Sequence, residues 1–295
     1  HAEHKKFTPV LSAIGAQCGR MFFPEEDFTA IKNTITLTPI QTETYHKFLF
    51  HLLTAVELPK RGAAQPFISK GDIQSFPIPV PPLPEQERIV GILDEAFEGI
   101  AAATAQAEKN LHNARELFQS VLQSTFSQKG DDWVENTLGE VCETFQYGTS
   151  SKSLQEGDVP VLRMGNLQEG YIKWNELKYT SNSEEISKYL LSENDVLFNR
   201  TNSSELVGKS SIYDGSRPAI HAGYLIRVQT KPETLDPKFL NYFLNCPSTR
   251  DHGFSVMSKS VNQANINATK LKAYRLNKPP LPTQEAIVEK LDALS

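Results

Sequence analysis

The segment PPLPEQERIVGILD, Pro81–Asp94, returns near the far end of the sequence as PPLPTQEAIVEKLD, Pro279–Asp292. Ten of the fourteen positions are identical, at a constant offset of 198 residues, and Gln65 and Ile68 pair with Gln263 and Ile266 at the same offset. A gapless match of this length marks two copies of one unit, and a period near 200 is far too long for a solenoid. Working outward, Val10–Leu11 matches Val196–Leu197, and Lys47–Leu49 matches Lys238–Leu240 at an offset of 191. The expected architecture is therefore two similar globular units, each leading through a proline-rich hinge into a helix.

The prolines of PIPVPPLP (Pro77–Pro84) stop any preceding helix and force an extended lead. Behind them a long helix is expected, from about Glu85 to Phe126. Leu93, Phe97, Ile100, Thr104, Ala107, Leu111, Ala114, Phe118, Val121 and Thr125 alternate in steps of four and three. That spacing is a coiled-coil seam, and at about 1.5 Å per residue the helix would span roughly 60 Å. Gly130 in the QKGDD stretch is a plausible stop. A second such helix begins near Thr283.

The first unit mixes short β-type runs (Val10–Ile14, Thr34–Leu37) with an apolar helix at Tyr45–Val56. The second has strands expected at Val159–Met164, Asp195–Asn199, Lys209–Tyr213 and Tyr224–Val228, and a helix at Pro237–Cys246. No regular βαβ alternation is present, so the fold class is α+β. Nothing before Val10 matches Trp133–Asn194, so the first unit is expected to lack a front of about 60 residues, and the last helix most of its length.

Composition narrows the class. At 295 residues, 39% hydrophobic and 22% charged, the chain has room for two cores. No apolar run approaches the roughly 20 residues of a membrane helix. Cys18, Cys142 and Cys246 are widely spaced with no CxxC, which suits reduced thiols in a cytoplasmic protein. The net charge of −5 hides an uneven distribution: residues 131–195 sum to −8, whereas residues 196–278 carry twelve bases and five acids. This fits either an unevenly solvated surface or a basic face on an acidic scaffold, able to meet phosphates. There is no GxxxxGK[ST] and no HExxH; the seven histidines are scattered, and Asn277-Lys-Pro-Pro is no methyltransferase motif. No catalytic or metal-binding residue is assigned.

Two PPLP hinges, each joining a domain to a helix, and the motifs LxNAxELFQSVLQSTF (Leu111–Phe126), VLRMGNLQEG (Val161–Gly170), DVLFNRTNSSELVGK (Asp195–Lys209) and SVNQANIN (Ser260–Asn267) resemble the specificity subunit of type I restriction–modification enzymes. The resemblance implies two mixed α/β target-recognition domains separated by long antiparallel coiled-coil spacer helices, the second truncated here. In this scheme residues 1–80 are the C-terminal part of the first domain and 81–128 the hinge and spacer helix. Residues 129–278 are the second domain, and 279–295 the start of the second helix. Each domain would read one half of a bipartite site on double-stranded DNA. The chain would be non-catalytic and without a cofactor. It would dock methyltransferase subunits, two in number, that use S-adenosylmethionine, and through them restriction subunits that use ATP with Mg. A coiled-coil adaptor that binds proteins without reading DNA is the alternative.

Base reading needs bidentate donors and acceptors on exposed loops. NRTNSS (Asn199–Ser204) offers Arg200, Thr201 and Asn202 behind a strand; SKSVNQANIN (Ser258–Asn267) offers Lys259, Asn262, Gln263 and Asn265. Of these, Arg200, Thr201, Asn202 and Asn262, together with Arg163, are the base-reading candidates of the second unit. Lys152, Lys209 and Lys259 are its phosphate candidates, phosphate contacts serving to orient the protein. The first-unit counterparts are Gln17 and Arg20 for bases, Lys60 and Arg61 for phosphates, and Gln65. The spacer seam is assigned to Leu93, Phe97, Ile100, Leu111, Phe118 and Val121. Asn- and Ser-rich loops also cap strands and make turns, Arg163 could pair with an acid, and Gln65 and Gln263 suit a repeated turn.

Overall fold

The computed structural model describes residues 2–39, 44–168, 170–260 and 263–294. Two compact units divide the chain at residue 110, inside the long helix.

In the first unit β1 (Val10–Ser12) is the centre of an antiparallel sheet, with β2 (Met21–Phe22) on one side and β3 (Thr34–Thr36) on the other. Helix α1 (His46–Ala55) buries Phe48, Leu49 and Leu53. Leu49 and Leu53, one turn apart, share a core with Leu11, Cys18, Met21, Leu58 and Ile68. The short helix α2 (Lys70–Gln74) starts on a capping box: the Ser69 hydroxyl and amide donate to the Asp72 carboxylate, and the Asp72 amide donates back to Ser69. Then α3 (Leu83–Ser127) begins directly behind Pro81 and Pro82.

The second unit opens with β4 (Val134–Thr137), α4 (Leu138–Val141) and β5 (Cys142–Tyr147). Then come β6 (Val159–Leu162), β7 (Leu167–Gln168), β8 (Tyr171–Ile172), β9 (Lys178–Thr180) and α5 (Ser183–Tyr189). Next are β10 (Val196–Asn199), β11 (Thr201–Asn202), β12 (Ser210–Ile212), β13 (Ile220–His221) and β14 (Leu225–Thr230). Helices α6 (Pro237–Asn245) and α7 (Pro247–Val256) follow, then β15 (Ser258–Lys259), β16 (Ala264–Asn265), α8 (Ala268–Lys272), β17 (Arg275–Lys278) and α9 (Leu281–Asp292).

The main sheet runs β12-β10-β14-β5, all antiparallel. Its centre repeats the first unit: β10, like β1, lies between two antiparallel neighbours. Strand β10 is buried on both faces, which explains its uninterrupted apolar run. Val196 and Phe198 point into one core with Phe239, Leu240, Phe243 and Leu244 of α6; Leu197 points into another with Leu162, Leu167 and Tyr213. A second sheet, β13-β6-β9, pairs β6 parallel to β13 and antiparallel to β9. The three-stranded β11-β16-β15 and the pairs β17-β4 and β7-β8 complete the unit.

The repeated hinge has a physical cause beyond its prolines. Gln86, fully buried, donates its amide to the Pro81 carbonyl at 2.7 Å and accepts from the Tyr45 amide at 2.8 Å. Gln284, also fully buried, donates to Pro279 (2.8 Å) and Thr234 (3.0 Å) and accepts from the Asp236 amide at 2.9 Å. One side chain thus ties the proline lead and the start of the helix to the N-terminus of α1 in the first copy and of α6 in the second. The end of the motif repeats as well: Lys47 bonds Asp94 and Lys238 bonds Asp292, each at 2.6 Å.

Helix α3 matches the expected long helix, but its burial follows the units and not the whole seam. Val90 and Leu122 are buried. Leu122 packs with Phe118, Val121, Phe126, Tyr242, Cys246 and Leu291, whereas Phe97, Ile100 and Leu111 stand 53%, 61% and 54% exposed, and Leu93 is half-buried. Only the ends of the helix rest on a domain. The central stretch has no second helix beside it among the described residues.

Candidate nucleic-acid interface

A groove of about 760 Å³ in the second unit gathers Thr149–Ser153, Arg163, Lys178, Arg200, Thr201, Ala222–Tyr224, Gln263 and Asn265. Its construction begins at Gly148. A Cβ there would lie 2.0 Å from the His221 carbonyl oxygen, so only glycine lets the Thr149–Ser153 loop approach. The contact is closed by Thr149 N–H to His221 O (2.9 Å) and Gly223 N–H to Thr149 O (2.6 Å). From below, Glu185 accepts from the Thr149 hydroxyl at 2.6 Å. Hydrogen bonds from Ser151 and Thr149 hold this carboxyl below the usual range, so it is ionised at neutral pH and anchors the loop. Lys152 stands exposed on that loop.

Strands β11 and β16 form the opposite wall, pairing Thr201 with Asn265 and Asn202 with Ala264. The Asn265 amide donates to the Thr201 hydroxyl at 2.8 Å. Arg200 lies with its guanidinium 4.8 Å from the centre of the Tyr147 ring, and one terminal N–H reaches the Gly223 carbonyl at 3.1 Å. Arg163 donates to the Glu176 carbonyl at 3.4 Å. The Nε groups of Arg163 and Arg200 are both buried without a partner among the described residues. Each arginine spends one terminal nitrogen on a backbone carbonyl and lines the groove, which leaves its other terminal nitrogen for an acceptor there.

The sequence candidates thus divide. Lys152, Arg163, Arg200 and Thr201 come together in one groove, with Gln263 and Asn265 of the SVNQANIN loop beside them. Asn202 turns its side-chain oxygen onto the Ser203 amide at 2.8 Å and serves the local turn. Gln263 combines both readings: its backbone carbonyl closes a turn with Ser260 at 2.7 Å, while the residue lines the groove. Lys259 is exposed on β15 beside β16, and Lys209 precedes β12; neither lines the groove. Asn262 lies outside the described residues. Lys178, Tyr224 and the Tyr147 ring were missed by sequence reasoning; the tyrosines flank loops but carry no local pattern that marks them.

In the first unit the backbone register is the same. Ile68 N–H donates to Ala13 O (2.8 Å) as Ile266 N–H donates to Arg200 O (2.9 Å). Ile14 bridges Phe67 as Thr201 pairs with Asn265, and Phe67 bridges Arg61 as Asn265 pairs with Ser258. The places of Arg200, Thr201 and Asn265 are therefore held by Ala13, Ile14 and Phe67. Gln17 and Arg20 lie in the turn between β1 and β2, bonded to each other at 3.0 Å. Arg61 is ion-paired to Asp72 and so braces α2, while the exposed Lys60 runs over Gly19. The Gln65 carbonyl lies in the tight turn at Gly62.

No group of three or more His, Cys, Asp or Glu is placed to hold a metal among the described residues. No helix of the described residues is long and apolar enough to cross a membrane. All three cysteines are free and buried, and burial pushes the Cys142 thiol up to about 12.

The comparisons with known proteins point the same way as the repeated hinge. The chain is 25% identical over 233 residues to the type I restriction enzyme EcoKI specificity subunit of Escherichia coli K12, covering 74% of this chain and 50% of that one. It is 26% identical over 231 residues to the StySPI specificity subunit of Salmonella potsdam, with the same coverage. The chain thus spans about half the length of these relatives. Among solved structures, a chain from a study of complex assembly and conformational transition in the type I R-M system superposes with a TM-score of 0.72 at 20% identity, covering 98% of this chain and 74% of that one. The HsdS subunit from Thermoanaerobacter tengcongensis gives 0.58 at 18% identity, with 98% and 73% covered. The family profile described as the type I restriction modification DNA specificity domain matches twice, over residues 4–112 and 130–295. Its two matches coincide with the two copies that the hinge repeat marks, and the chain belongs to that family.

Proposed function

We propose that this chain reads DNA sequence as the specificity subunit of a type I restriction–modification complex, each unit serving one half of a bipartite target. The observation that carries this is the groove of the second unit. Two arginines, one of them backed by the Tyr147 ring, and a Thr–Asn pair converge there from segments distant in sequence. Arginine forks suit guanine O6 and N7, an asparagine amide suits adenine, and Lys152 and Lys178 suit the flanking phosphates. The chain itself is non-catalytic in this reading and holds no cofactor. Two methyltransferase subunits supply S-adenosylmethionine chemistry, and restriction subunits, where present, use ATP and Mg. The complex works in the cytoplasm. The adaptor alternative has no observation in its favour, whereas the groove and the family both bear on DNA.

The test is to express the subunit with its methyltransferase and sequence the modified DNA. A bipartite methylated motif is expected. Exchanging residues 133–278 for those of another family member should change one half of the motif and leave the other. A motif unaltered by the exchange would remove the second unit as a reader.

A further inference from the structure

The loop that carries Arg200 and Thr201 to the groove returns through a tight turn, and that turn is held from behind. Its neck closes at Asn199, whose N–H donates to the Lys209 carbonyl (2.8 Å) and whose carbonyl accepts from the Gly208 N–H (2.7 Å). Gly208 has a φ of +84°, and a Cβ there would lie 2.9 Å from a terminal nitrogen of Arg250. That arginine, on α7, donates to the Val207 carbonyl at 2.7 Å and to the Glu205 carbonyl at 3.0 Å. No acid forms an ion pair with it among the described residues. A half-buried charge that meets backbone carbonyls and no carboxylate is a costly brace unless the turn must be held in one place. The helix that carries Arg250 is itself anchored: Pro247 opens α7, and the Ser248 N–H donates to the Gln123 side chain near the end of α3 at 2.9 Å. Helix α7 lies between Leu244 and Gln263, nineteen positions apart where the matching Leu53 and Gln65 are twelve apart. The first copy has the same turn, with Gly19 N–H donating to Ser12 O (2.8 Å), and there the Lys60 side chain lies against the glycine.

Charge-assisted bonds from one planar guanidinium to two carbonyls fix distance and direction together, which a single-point contact does not. We propose that Arg250 is a positioning residue for DNA reading: by holding the Glu205 and Val207 carbonyls it keeps Arg200 and Thr201, at the other end of the same loop, in place at the groove. Arg250 does not line the groove and meets no DNA itself. This rests on the DNA-reading function proposed above and adds a residue that sets the second half-site without touching it.

The experiment uses the full-length subunit assembled with its methyltransferase, the methylated motif found by sequencing, and two duplexes, one with that motif and one scrambled in both halves. The second half-site is the one altered by exchanging residues 133–278. Arg250→Met keeps the apolar stem of the side chain and removes the fork. Methylation should then spread to sites with wrong bases in the second half alone. Affinity for the motif duplex should fall at least about fivefold, the cost of one misread base pair, with the scrambled duplex bound as before. The salt slope of binding should not change, because Arg250 meets no phosphate; a slope lower by about one unit makes it a phosphate contact and overturns the proposal. A folded variant that loses thermal stability and keeps a sharp motif also overturns it, since bracing alone would do that. Arg250→Lys keeps the charge but cannot span both carbonyls, so its selectivity should fall between those of the wild type and Arg250→Met. If Arg250→Met does not fold, Arg250→Lys decides: a relaxed second half supports the proposal and a wild-type motif overturns it. If the unaltered complex methylates no specific motif, it is the DNA-reading function that fails, and this inference falls with it.

Discussion

At the scale of single residues the second unit separates reading from support. The Arg200 side chain spends one hydrogen bond on the Gly223 carbonyl and rests on Tyr147 at the groove, so its substitution should act on recognition. Replacement by lysine keeps the charge and loses the planar fork. We expect R200K to relax one position of the second half-site by about 1–3 kcal/mol, measured by sequencing methylated sites, with thermal stability little changed. Gly148 is the opposite case. An added methyl would overlap the His221 carbonyl, so Gly148→Ala should open the groove and lower the stability of the unit, read as a drop in Tm.

His221 gives the second unit a pH dependence. It is fully buried between Gln146, whose carbonyl lies 3.3 Å from its Nε2, and the edge of Tyr189. Burial holds its imidazole down to about 4, with the Arg227 charge adding to the effect and the backbone contacts opposing it. The unfolded chain, with a pKa near 6.5, takes up a proton that the folded chain refuses. Stability should therefore be full above about pH 6.5 and fall progressively toward pH 4, by roughly 3 kcal/mol in all. Urea midpoints between pH 7.5 and 4.5 measure this, and an uncharged His221→Gln variant should flatten the slope.

At the scale of elements the hinge and the spacer helix behave differently. Gln86 and Gln284 are fully buried and bonded to backbone at both ends. Gln284→Leu would strand the Asp236 amide and two carbonyls, costing ~2 kcal/mol or more, detectable by denaturant unfolding. The seam centre should show the reverse pattern. Leu111 is exposed in the chain alone, so Leu111→Asp should leave its own stability within about 0.5 kcal/mol. It should sharply lower the yield of assembled complex, because a second helix on that seam would bury an unpaired charge. Co-purification with the methyltransferase measures the second effect and melting of the isolated chain the first.

At the scale of the whole molecule, the net charge of −5 means that binding to DNA must come from local cations. Affinity should fall steeply with salt, in proportion to the phosphates contacted. A lysine-to-alanine change at Lys152 should reduce the salt slope by about one unit and weaken all sequences alike, unlike R200K.

The duplication, the extended proline lead, the long helix and the apolar strands were legible along the sequence, because each depends on local periodicity or on proline geometry. The loops that would meet DNA were legible as groups, since NRTNSS and SVNQANIN concentrate polar side chains at strand ends. Which of their members share a groove was not. Arg163 and Lys178 are brought together by the pairing of β6 with β9, and Gly148 and Gly223 let the Thr149 loop close against residues 221–223 beside them. The turn that consumes Asn202 and the ion pair that occupies Arg61 are short-range facts of geometry with no periodic trace. Above all, aligning the copies by sequence suggested Gln17, Arg20 and Lys60 as counterparts of the second unit's readers, whereas the strand register puts Ile14 and Phe67 there. The sequence by itself determined that one scaffold is used twice, because a repeated motif survives in the order of residues. Only the tertiary structure decided what each copy presents, because hydrogen-bond register between distant strands, and not position along the chain, sets which side chains face outward together.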